Sequence, residues 1–178
     1  MAAVLRSLAL LTFIALAGCV TSKAPLLGPD SRVLPFLPGT TFETYEREDP
    51  RAPWKKNARL SAFTADESLV VREVTEAGQP KNDEIYTFHA LGFERFLVQA
   101  QFKRGEAYAY GVLEIRNGEG VITGLGCKAI DQAAFRAGGG KIANDFCELD
   151  SAPDPLALLR TIAANPAGVQ VRYVPVTK

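Results

Sequence analysis

Three cysteines and a single histidine carry most of the reactive chemistry in this 178-residue chain. A thiol can attack, ligate a metal, pair as a disulfide or accept a modification, and an imidazole moves a proton near neutral pH. Sequence context narrows these uses. Cys127 and Cys147 lack the C-x-x-C spacing of a zinc or redox site. His89 lies between Phe88 and Ala90 in a strand-like run, without the partners of a catalytic motif. A Cys127 nucleophile would have His89 as its sole imidazole, and an oxidising compartment would tend to consume the thiol. No G-x-S-x-G is present. The stretch Gly124-Leu125-Gly126-Cys127-Lys128-Ala129 has Ala where a dinucleotide fingerprint needs its third glycine, and Gly138-Gly139-Gly140-Lys141-Ile142 lacks the Ser or Thr that follows a phosphate-loop lysine. The expectation is a protein with no catalytic centre, no metal and no cofactor.

Cys19 has a different setting. Arg6 precedes an apolar run from Leu8 to Ala17, far shorter than the roughly 20 residues a membrane-spanning helix requires. A basic start, a short apolar middle and small residues at the end read as a secretory signal. The run ends Leu16-Ala17-Gly18-Cys19. These four residues resemble the lipobox of bacterial lipoproteins, and all four positions match. The resemblance covers the first 19 residues only. It implies lipid on the Cys19 thiol, cleavage after Gly18, and two or three fatty acyl chains, palmitate among them. One chain holds a protein only marginally, and two or more hold it stably. Val20 rather than Asp follows the cysteine, which resembles the class sorted to the outer membrane and facing the periplasm. The expected order is therefore a signal peptide over 1–18, a lipidated Cys19 with a Pro-rich tether over 19–39, and one β-rich domain over 40–178.

Removing residues 1–18 from 178 leaves 160, the size of one domain with a sizeable core. With Cys19 assigned to the anchor, Cys127 and Cys147 remain as a pair, and an exported compartment predicts a disulfide between them. The formal net charge is +0, with no dominant basic patch, so nucleic-acid binding has little support.

The elements that must position these residues are short and strand-like. Prolines at 25, 29, 35 and 38 favour extended chain over helix in the tether, and Val33, Leu34, Phe36 and Leu37 are apolar enough to dock on the domain. Runs rich in Thr, Val and aromatics predict strands over 40–47, 58–64, 68–75, 84–90, 93–102, 107–116, 121–125, 142–149 and 169–174. Turns fall at 76–83, 103–106 and 117–120. A short helix is predicted from Asp131 to Gly138, and a clearer one over 154–165, with Asp154 as N-cap, Pro155 at the first helical position and Pro166 as stop. The fold class is α+β, mainly β: an antiparallel barrel, roll or sandwich of about 7–9 short strands, with the C-terminal helix packed on it.

One surface has recognition chemistry. Leu97, Gln99 and Gln101 share a face of one predicted strand, and Tyr108, Tyr110 and Val112 share a face of its hairpin partner. A matching register would make a Gln/Tyr surface suited to a sugar, a peptide or a partner protein; otherwise these residues form a solvent face or a tyrosine-rimmed core. Trp54, beside Lys55 and Lys56, is either a contact point or a plug for an open end of the core. The expected function is a lipid-anchored envelope lipoprotein with a non-catalytic binding or structural role and an envelope protein as partner; the alternative is a carrier of a small apolar ligand inside a barrel.

Overall fold

The computed structural model describes residues 19–29, 32–65, 68–74, 80–102, 107–143 and 146–176. The signal segment 1–18 and the turn expected at 103–106 lie outside the described residues. Twelve strands and two helices are present among them: β1 (Val20–Ser22), β2 (Arg32–Val33), β3 (Thr41–Arg47), β4 (Lys55–Ala65), β5 (Ser68–Val74), β6 (Pro80–Gly92), β7 (Arg95–Phe102), β8 (Ala107–Arg116), β9 (Glu119–Gly124), α1 (Gln132–Ala137), β10 (Lys141–Ala143), β11 (Phe146–Glu148), α2 (Pro155–Ala163) and β12 (Gln170–Pro175). Strands β3 to β9 form an antiparallel meander. β12 then enters between β9 and β3, antiparallel to both, and closes an eight-stranded barrel.

Alternation explains the closure. β12 buries Val171 and Tyr173 and turns Gln170 and Arg172 outward; β3 buries Phe42 and Thr44 in the same way. Thr44 can be buried because its hydroxyl donates to the Ala58 carbonyl and accepts from the Ala58 N–H, both at 3.1 Å. That pair of hydrogen bonds spans the bulge between Glu43 and Tyr45. The β8–β9 hairpin turns on Asn117 (φ 54°) and Gly118 (φ 79°), the positive-φ pair that suits a two-residue hairpin loop. One end of the barrel is plugged by Phe36, whose ring centroid lies 5.0 Å from Phe42 and 6.4 Å from Tyr173. Gly120 makes room for it, since a Cβ there would sit 2.6 Å from the Phe36 ring.

A second core lies outside the barrel. Leu97, Tyr110 and Val112 point away from the lumen and meet Phe135 of α1 and Leu159 and Ile162 of α2. Covered on both faces, β8 buries Ala109 to Leu113 without interruption, where a half-wet strand would alternate. Asp131 caps α1 by accepting from Ala133 and Ala134, and Asp154 caps α2 by accepting from Ala157.

Three sequence expectations change. The 76–83 turn is shortened, because β6 already begins at Pro80, paired with Val74. The single strand expected over 142–149 is a hairpin of β10 and β11. Much of the tether is docked: β1 is inserted into the sheet, Leu27 is buried, β2 pairs with β6, and Val33 and Phe36 pack on the barrel core, whereas Leu34 and Leu37, expected to dock, are 45 % and 80 % exposed. Proline disfavours helix but is compatible with extended backbone, and this segment finds partners for that backbone on the barrel wall.

Candidate functional site

β8 has two partners on one side. Its second half, Gly111–Arg116, pairs with β9, while Tyr108 and Ala109 near its start pair with Ser22 and Thr21 of β1. β1 continues the sheet into β11, to which it is parallel with Val20 opposite Cys147, and β11 pairs with β10. Cys19 sits where the sheet divides, in an antiparallel bridge with Gly126. Its carbonyl accepts from the Cys147 N–H at 3.0 Å. Cys19 is 9 % exposed, and burial pushes its thiol up to about 11.

Cys127 and Cys147 form a disulfide with a Cα–Cα distance of 5.3 Å, closing a separation of 20 residues. It ties the end of β9 to β11 and so holds the strand against which β1 lies. All three cysteines therefore meet at one seam, two of them covalently paired.

The outer face of the β7–β8 hairpin has the register that makes a continuous Gln/Tyr surface. Leu97 faces Val112, Gln99 faces Tyr110 and Gln101 faces Tyr108. Residues 22–27 of the same chain lie across it. Gln99 Oε1 accepts from the N–H of Leu26 at 2.9 Å and of Leu27 at 3.1 Å, and Gln99 Nε2 donates to Thr87 Oγ1 at 3.2 Å. Ser22 Oγ donates to the Ala24 carbonyl, so in its 2.6 Å contact with Tyr110 the phenol is the donor. Burial pushes the Tyr110 hydroxyl up to about 12. Gln99 and Tyr110 are buried, whereas Gln101 and Tyr108 stay half-buried at the margin. No family model, curated protein or solved structure matches this chain.

The remaining candidates lie apart from this seam. Trp54, half-buried between β3 and β4, stacks under the Arg47 guanidinium, whose carbon lies 4.1 Å from the ring centroid. His89 is buried on the outer wall, opposite Arg32 of β2. Its pKa is lowered by burial first, then by the charges of Arg32 and of Arg160 on α2. Inside the barrel, the Tyr86 hydroxyl donates to Glu84 and is hydrogen-bonded to Tyr173. Burial raises the pKa of both phenols well above the usual tyrosine value. The sequence reading missed this polar group. Its signal was present in the spacing of Glu84, Tyr86 and Phe88, which places a carboxylate on the apolar, lumen-facing side of β6.

Proposed function

We propose that this protein is a lipid-anchored component of a bacterial cell envelope with a non-catalytic binding or structural role. The observation that carries the reading is Leu16-Ala17-Gly18-Cys19 at the end of a signal-like apolar run. One structural fact supports it. The Cys127–Cys147 disulfide fits an exported protein, because reducing compartments rarely keep one. The anchor makes the membrane the first partner, and an envelope protein is the second that this reading expects.

Mass analysis of the N-terminal peptide and flotation with membranes test the anchor. The wild-type chain is expected to start at Cys19 with acyl mass attached and to float; Cys19→Ala should keep residues 1–18 and carry no lipid. An unmodified Cys19, or normal processing of Cys19→Ala, would overturn the reading.

A second reading, a carrier of a small apolar ligand, rests on the closed eight-stranded barrel, a size that either fills with side chains or holds one small ligand. The lumen bounded by Phe36, Phe42, Tyr86, Phe88 and Tyr173 has a cavity of about 10 Å³, room for about one water. A ligand would have to displace side chains that fill the lumen, so the anchored binding or structural role ranks first.

A further inference from the structure

We infer that the β10–β11 hairpin rests on the bilayer, with Phe146 and Ala143 as an apolar footprint beside the lipid. This rests on the anchor at Cys19. The argument starts from the missing spacer. Val20 follows Cys19 directly into β1, so no free chain separates the lipidated residue from the folded domain. Extending the parallel register of Val20 with Cys147 by one residue puts Cys19 beside Phe146, on the same face. Neighbouring strands are about 4.8 Å apart. Phe146 is thereby held one strand spacing from the residue that carries the lipid. Phe146 is 41 % exposed, and Ala143, its partner in β10, shares its face. Farther along the hairpin Lys141 stands opposite Glu148 and the pair is neutral; Asn144 and Asp145 of its turn lie outside the described residues. Phe93, 89 % exposed, offers the internal control: it lies in the β6–β7 turn, at the barrel end away from Gly126. The bilayer is the occupant because the anchor brings it there, whereas nothing of the kind points to Phe93.

The test uses the full chain, processed and lipidated, in a Trp54→Phe background that keeps an aromatic ring under Arg47. Phe146→Trp and Phe93→Trp are each reconstituted into phosphatidylcholine–phosphatidylglycerol vesicles with ordinary or brominated acyl chains. The expected result is a blue-shifted emission for Phe146→Trp that loses most of its intensity in brominated lipid, with Phe93→Trp unchanged. Should Phe146→Trp misfold, Ala143→Trp carries the same expectation. Protein that floats with the vesicles but shows no quenching at either hairpin position overturns the footprint and leaves the anchor standing. Quenching of Phe93→Trp alone overturns it as well, by placing the other end of the barrel on the membrane. Protein that does not float removes the anchor and the footprint together.

Discussion

Two stretches of the barrel's outer wall solve the problem of polar side chains in opposite ways. Along β9, β12 and the end of β8 the wall is partly wet and uses charges: Arg172 pairs with Glu119 at 2.7 Å, and Arg116 and Arg95 both reach Glu114, at 3.0 and 3.3 Å. Along β6, β7 and the start of β8 the wall is covered by residues 22–27 and by α2, and its network uses neutral groups: Thr87, Gln99 and Tyr110. The difference follows from desolvation. A buried charge costs several kcal/mol unless fully paired, while a buried amide or phenol needs only its hydrogen bonds. The covered wall meets that need with backbone N–H groups from the N-terminal segment. It therefore depends on a part of the chain some 70 to 90 residues away, as the separations of 73 and 88 for Leu26–Gln99 and Ser22–Tyr110 show.

The largest break in this comparison should come from the disulfide. The double substitution Cys127→Ser, Cys147→Ser frees β11 and with it β1. A bridge closing a loop of this size contributes about 3 kcal/mol, chiefly by restricting the unfolded chain. For a domain of this length the melting temperature should fall by roughly 6–12 °C. The damage should be local: amide exchange at Thr21, Leu26 and Leu27 should accelerate, while Arg172 and Val121 on the wet wall keep their protection. Uniform acceleration across both walls would show that the covered wall is not a separate unit.

Single-residue effects should separate the walls next. Gln99→Ala leaves the Leu27 N–H without its acceptor and the Leu26 N–H with only its 3.4 Å contact to the Tyr110 hydroxyl, which costs about 1–3 kcal/mol. Arg172→Ala removes a half-exposed ion pair and should cost less than about 1 kcal/mol. Urea denaturation of the two variants decides it, and equal midpoints would remove the distinction drawn between the walls.

How much of this arrangement could be read from the chain follows the same division. The strands of the meander announce themselves through runs of Val, Thr and aromatic residues, because each pairs with a sequence neighbour; β3 alternates between a wet and a dry face, whereas β8 is buried on both. Their hairpins fix the register that sets Gln99 opposite Tyr110. Cys127 and Cys147 were paired by compartment and count, and the structure contains that disulfide. What could not be read was the fate of residues 20–29. Their prolines specify an extended backbone, and the same backbone serves a free tether or a docked strand; only the Gln99 amide and the Tyr110 phenol, remote in sequence, decide between them. β1, β2, β10 and β11 are two or three residues long, too short for any period to show. The Glu84–Tyr86–Tyr173 group likewise needs closure of the barrel by β12, a contact across nearly the whole meander.

The smallest expected effect concerns His89, and it tests whether the covered wall is dry. Burial comes first among the causes that lower its pKa below 6.5, and the charges of Arg32 and Arg160 act in the same direction. The folded state thus resists taking the proton that the unfolded chain accepts near pH 6.5. As pH falls from neutrality through that value, the unfolded chain binds more protons than the folded one, so stability decreases; the loss stops once pH has passed below the folded-state pKa. Above pH 7 both states hold neutral imidazole, and the contribution vanishes. The lowered pKa of Glu43 acts only below its ordinary value of 4.5, and the pKa of Glu46, raised by burial and then by the charge of Glu48, acts in the opposite sense, adding stability as pH falls. His89→Gln keeps a neutral hydrogen-bonding side chain and removes the titration. Melting temperatures measured between pH 5 and pH 8 should fall toward acid in the wild-type chain and flatten in His89→Gln. A wild-type curve already flat across this range would mean that water and counterions reach His89, and that the wall beneath α2 is as wet as the one carrying Arg172 and Glu119.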